Sequence, residues 1–338
     1  MCGLRTDNTI ECWGSDFSGV VSPPAGTFRA VTGGLQHSCG LRTDDTIECW
    51  GNSFYGAADP PGGTFRAVTA RWEHSCGLRS DNTITCWGDN RDGAANPPGG
   101  IFRAVTAGSQ HSCGLRSDNT IECWGNDNEG RATPPAGTFR AVTAGSSHSC
   151  GLRTDNTITC WGQFVPTPDG VRWIQDADRP SDVLSRETDS FGPADVPAGI
   201  FRTVTAGAIH SCGLRTDTTI ECWGNNDAGQ ADPPSGTFRA VTAGGFHSCG
   251  LRTDTTIECW GNNQYGQAEP PSGTFHAVTA GSDTSCGLRT DTTIECWGIN
   301  DYGGSGPPAG TFRAVTVGPV HSCGLRSDNT IECWSLVP

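Results

Sequence analysis

Lysine is missing from this chain of 338 residues, and all 22 basic side chains are arginine. That excludes chemistry through a Schiff-base lysine and any phosphate loop ending in lysine. Long apolar runs are missing too: nothing approaches the roughly 18 to 20 consecutive apolar residues of a membrane-spanning helix. Zinc sites built on paired C-x2-C ligands are excluded because that spacing does not occur. With 47 glycines, 21 prolines and few aliphatic runs longer than five residues, the composition leaves little room for long helices. It suits many short strands joined by turns.

What the chain does have is repetition. Its 18 cysteines form nine pairs whose members stand ten residues apart, recurring at a period of 37 with one interruption: Cys2 and Cys12, Cys39 and Cys49, Cys76 and Cys86, Cys113 and Cys123, Cys150 and Cys160, Cys212 and Cys222, Cys249 and Cys259, Cys286 and Cys296, Cys323 and Cys333. A fixed period of this length marks a single repeat domain over 1–338, in which each unit buries its faces only against its neighbours. With zinc disfavoured, the pairs read as disulfides, which implies an oxidising compartment outside the cytosol.

A typical unit predicts strand A over Phe139 to Ala144, strand B over His148 to Arg153 and strand C over Thr157 to Trp161. A short strand D is expected before the Pro-Pro pair, at an edge because proline cannot donate to a ladder. Thr-Asp-Asn or a close variant between B and C is tight-hairpin chemistry. A three-residue loop sets Leu41 opposite Ile47 and Cys39 opposite Cys49, within disulfide reach. Each bridge then staples its own hairpin, worth about 3 kcal/mol or less because the closed loop is short. The tryptophan of each CWG reads as core between units.

The unit AGxxHSCGL, a turn, then I-x-CWG and G-Q resembles the repeat of the regulator of chromosome condensation family, and is similar in style to that family's secreted bacterial propellers that inhibit β-lactamases. The resemblance covers the chain apart from 163–190. It implies an all-β fold, a β-propeller of about eight to nine four-stranded antiparallel blades with one disulfide in each. Relatives usually carry seven units, whereas this chain has nine B–C hairpins but eight A strands, so a closed ring and an open arc both stand as expectations. Met1 occupies the place of the HSC serine, so an export signal and one strand are expected to have been lost upstream.

In an up-and-down blade the A–B and C–D loops emerge at one end and the B–C and D–A turns at the other. The second end is nearly constant; the first varies and carries the aromatics. All three tyrosines, Tyr55, Tyr265 and Tyr302, lie there, with Phe17, Phe54, Trp72, Ile209 and Phe246. Trp173 lies in the insertion at 163–190, which enters a C–D loop and contains the turn Pro168-Asp169-Gly170. These nine residues are the expected partner-binding set, since aromatic variation on a rigid scaffold suits protein recognition. The repeated framework is charge-balanced, so the net charge of −14 comes from acids mostly in the variable loops and insertion. That disfavours nucleic acid and favours a protein partner with a basic or neutral contact surface.

Seven of the eight histidines recur before Ser-Cys, a structural pattern expected to serve neighbouring backbone. No nucleophile departs from its repeat copies, and the acidic stretches at 89–92 and 126–129 lack a calcium-loop pattern. No catalytic site, cofactor or metal is expected. The leading reading is an extracellular or cell-surface interaction propeller, possible in a sharper form as a β-lactamase inhibitor. The alternatives are a guanine-nucleotide exchange factor acting on a small GTPase, for which so many paired cysteines are unusual, and a structural or adhesion module of a larger surface protein.

Overall fold

The computed structural model describes Gly19 and residues 22–162, 196–299, 306–318 and 321–335, together with the strands at 2–4 and 10–12. Each repeat is organised by its tightest turn. In the first complete unit Asp44 Oδ1 accepts the Thr46 N–H (3.0 Å) and hydroxyl (2.7 Å), while Arg42 N–H reaches Thr46 O (2.8 Å). Closing this turn puts Asp45 in the left-handed region at φ 72°. Register follows: Leu41 pairs with Ile47 and Cys39 with Cys49. Hydrogen-bonded pairs alternate with closer ones, and the cysteines fall on the closer kind, their Cα atoms 4.0 Å apart. Eight such disulfides are described, and no described cysteine is free. For the ninth pair the backbone register Cys2 to Cys12 matches the others.

Eight antiparallel sheets result, blades I to VIII. Their A strands are Phe28–Gly33, Phe65–Arg71, Phe102–Ala107, Phe139–Ala144, Phe201–Ala206, Phe238–Ala243, Phe275–Ala280 and Phe312–Val317, each followed by its B and C strands. The sheets have three strands, which corrects the expected four. The segment before the prolines turns instead of extending, as where Ala57 N–H donates to Phe54 O and Asp59 N–H to Gly56 O. Its Gly-x-Ala and Pro-Pro composition favours such turns over a ladder. The Trp87 indole of the next blade then pins it, donating to Ala57 O at 3.0 Å.

The ring closes. Every A strand touches the A strands on both sides, that of blade VIII against that of blade I included. The A strands therefore form the innermost circle. At each seam Cys, Leu and Ile of one blade pack on Phe and Trp of the next, as Cys76, Leu78 and Ile84 do on Phe102 and Trp124. The VIII–I seam repeats this with Cys323, Leu325 and Ile331 on Phe28 and Trp50. The ninth hairpin forms a two-stranded sheet of its own beside strand C of blade VIII, Ile331–Ser335. Among the described residues no helix is long and apolar enough to cross a membrane.

Two polar links cross the seams. The carbonyl of each left-handed turn residue accepts the N–H of the next blade's first phenylalanine, as Asp45 O from Phe65 and Asn82 O from Phe102, both at 2.7 Å. The histidine Nε2 bonds the serine Oγ of the next blade: His37 to Ser75, His74 to Ser112, His111 to Ser149 and His148 to Ser211, each 2.8 Å, and across the closure His321 to Ser38, 2.5 Å. Through Nε2 the histidines thus serve a hydroxyl across the seam, in place of the neighbouring backbone expected for that contact. Blade VII has Thr284 in that place.

Two expectations follow. Burial holds all seven imidazoles neutral, lowering His37, His74, His148 and His247 to about 4 and His111, His210 and His321 to about 3. Because the folded values lie below the unfolded 6.5, the unfolded chain takes up protons first as pH falls. Stability is whole above about pH 6.5 and is lost toward pH 4, on the order of 3 kcal/mol for each histidine shifted to about 4. A guanidinium midpoint that stays level from pH 7 to 4.5 would contradict this. Thr218, Thr255 and Thr292 hold the left-handed position at φ 71 to 77°, where β-branching is unfavourable and asparagine is tolerated. Thr218→Asn should raise unfolding stability by about 0.5 to 1 kcal/mol at neutral pH in denaturant titration.

Candidate interaction face

At the constant end the repeated arginines are structural. Arg116 stacks over Phe102 (4.8 Å), donates Nε to Glu122 Oε2 (2.7 Å) and Nη2 to Gly99 O (3.1 Å). The same strand-B arginine pairs with a strand-C glutamate in blades I, III, V, VI, VII and VIII. In blades II and IV the same arginine, Arg79 or Arg153, bonds a threonine hydroxyl instead, each at 2.6 Å. Ile101 and Ile200 depart from the threonine that holds their place in the other units, and are 47% and 52% exposed at this end. Sequence reading passed over them.

At the opposite end the backbone is fixed and the side chains differ. The carbonyl of the residue before the strand-B His accepts the first C–D loop N–H of its own blade: Gln36 from Asn52 (2.8 Å), Glu73 from Asp89 (2.8 Å), Ile209 from Asn225 (3.1 Å), Phe246 from Asn262 (2.9 Å). The C–D loops brace themselves as well. Asn52 Oδ1 accepts Phe54 N–H (2.8 Å), and buried Gln267 accepts Tyr265 N–H at 2.8 Å while donating to Asn262 Oδ1 at 3.1 Å. Such loops display their side chains with little ordering left to do on binding.

The expected aromatic residues divide into two groups. On blades I and II, Phe54 and Tyr55 are 63% and 45% exposed and meet edge to face with ring centroids 4.7 Å apart. Arg91 of blade II lies over the Tyr55 ring at 4.5 Å and is held by Asp89 (2.7 Å) and Glu73 (3.2 Å). Its hydrogen bonds to Asp89 hold that carboxyl below the usual range. Trp72 adjoins this group: it is partly buried in the left-handed region at φ 49°, and its carbonyl accepts Leu35 N–H of blade I at 2.7 Å. Four blades away, on V and VI, stand partly buried Ile209 and Tyr265 and the 47% exposed Phe246. The two groups face each other across the channel mouth instead of forming one patch. Phe17, Trp173 and Tyr302, with the insertion at 163–190, lie outside the described residues.

Two arginines of this end escaped the sequence reading. Arg91 could not be placed over Tyr55 without the loop fold, but Arg71 carried a visible signal: it stands where seven other units have glycine.

Five segments, residues 28–57, 65–94, 102–131, 139–164 and 238–267, match the family model of the regulator of chromosome condensation (RCC1) repeat. No curated protein matches the chain. Among solved structures, the ectodomain of the Physcomitrella patens receptor kinase CR4 is similar at 27% identity and TM-score 0.57, over 81% of this chain and 74% of that one. The CRINKLY WD40 ectodomain of the Arabidopsis thaliana receptor kinase ACR4 is similar at 21% identity and TM-score 0.56, over 92% and 98%. Yeast RCC1 (Prp20), in its structure with Kap60, is similar at 14% identity and TM-score 0.55, over 91% and 80%. By matching repeats and by fold, the chain is similar to RCC1-type propellers, here with eight closed blades stapled by disulfides.

Proposed function

We propose that the protein is a recognition propeller of the extracellular space or cell surface that binds another protein through its A–B and C–D loop end. The observation that carries this reading is exposed Phe54, Tyr55 and Phe246 on hydrogen-bonded loops, above a framework whose strand-B arginines are ion-paired to strand-C glutamates in six blades. Large aromatics exposed on braced loops offer contact area at small entropic cost. Intra-hairpin disulfides in every described blade support an oxidising location. The reading includes no chemistry by the protein itself: its buried histidines and serines are spent on the seams.

β-Lactamase inhibition is the sharper form, resting on resemblance of the repeat. Guanine-nucleotide exchange draws support from the matching RCC1 repeats and from a fold shared with yeast RCC1 at 14% identity, but the disulfides weigh against a cytosolic or nuclear role.

Inhibition assays against a panel of β-lactamases test the sharper form. Inhibition by the wild-type chain should weaken at least tenfold in Phe54→Ala, Tyr55→Ala and Phe246→Ala, with thermal unfolding unchanged. Inhibition that persists in the triple variant would refute the assigned face, and no inhibition across the panel would remove the inhibitor form.

A further inference from the structure

Arg71 breaks a packing rule. Adjacent A–B turns approach so closely that a Cβ on Gly145 would stand 2.5 Å from Gly207 O, which is why glycine fills this place in seven units. In blade II an arginine occupies it, at the end of an innermost strand. The side chain passes blade III to reach blade IV, where Nη1 donates to Ala144 O at 3.1 Å. Among the described residues this is the only hydrogen bond of the guanidinium, and no carboxylate lies within ion-pair distance. Its neighbours offer no compensation: its charge acts on His111 and His148, both held neutral. Two other arginines of this end, Arg91 and Arg131, are by contrast ion-paired. Loss of hydration lowers Arg71 to about 10, so it stays charged at neutral pH.

A partly buried cation without a counter-charge is costly, yet open to a ligand, and an arriving carboxylate would gain a charge-assisted bond in a setting screened less than open water. The location selects the form of the anion. Arg71 lies at the channel mouth, between the Phe54–Tyr55 group and the group on blades V and VI. A partner resting on both would present to it the tip of a protruding loop, not a chain end. We infer that Arg71 is a receptor for one aspartate or glutamate side chain on a partner's loop, inserted at the channel mouth while the rim aromatics hold the surface around it. This rests on the recognition role proposed for the same end. It also refines the partner's chemistry: a basic or neutral contact surface with one central acid.

The test uses the full chain and synthetic peptides, so it does not depend on knowing the partner. Acetyl-Gly-Gly-Glu-Gly-Gly-amide, its Gln counterpart, and acetyl-Gly-Gly-Gly-Gly with a free C-terminus are titrated into 15N-labelled protein. The arginine Nε–H resonance of Arg71 is assigned by its absence in Arg71→Gly. The Glu peptide should shift that resonance saturably, bind at least tenfold more tightly than the Gln peptide, and weaken as salt rises. Arg71→Gly, which restores the residue of the sibling turns, should fold and lose this discrimination, as should Arg71→Gln. Equal binding of the Glu and Gln peptides, undiminished discrimination in both variants, or tighter binding of the free C-terminus would overturn the inference. The Phe54→Ala, Tyr55→Ala, Phe246→Ala triple variant should keep the peptide response. A failure of the proposed rim is thereby separated from a failure of Arg71.

Discussion

A three-stranded sheet with apolar residues on both faces cannot persist alone in water, and burying each face against a copy of itself is the constraint from which this architecture follows. Blade II shows it: Cys76, Leu78 and Ile84 have only the small Ala67 and Cys86 beside them in their own sheet and gain large apolar cover from Phe102 and Trp124 of blade III. A chain of such units has two uncovered ends unless it curves back. Here Phe28 and Trp50 cover blade VIII, and the ends vanish. The seam bonds from histidine to serine and from turn carbonyl to phenylalanine N–H fix the angle at which one sheet meets the next.

Much of this was legible in the residues because the determining interactions are local. The Asp-containing turn sets the register of Leu41 with Ile47 and of Cys39 with Cys49 over a few residues. The strand bounds read for the fourth blade agree closely with Phe139–Ala144, Ser149–Arg153 and Ile158–Trp161. Trp87 and its equivalents are inter-blade core, as their repetition suggested.

What the residues did not disclose depends on distance along the chain. The fourth strand failed because the Gly-x-Ala segment takes its hydrogen bonds within turns and from a tryptophan 30 positions later. Closure depends on a bond between residues 283 apart, His321 and Ser38. The aromatics were found one by one, but their division into two groups is a property of the circle: positions adjacent in a list of loops can be half a ring apart. Tyr55 and Arg91 meet only because successive C–D loops stand side by side.

The histidine–serine bonds that join blades all run from the histidine of one unit to the serine of the following one. The circle therefore has a sense of rotation, with the histidine of a unit always turned toward the serine of the next. Growth or loss can proceed only in whole units, so the bore of the channel changes in steps. A relative with one unit fewer would carry the same turns on a tighter circle, and an arginine placed like Arg71 would there reach a different opposite wall. Aperture is thus set by gene length, and what can be admitted at the centre is chosen apart from what is displayed on the edge.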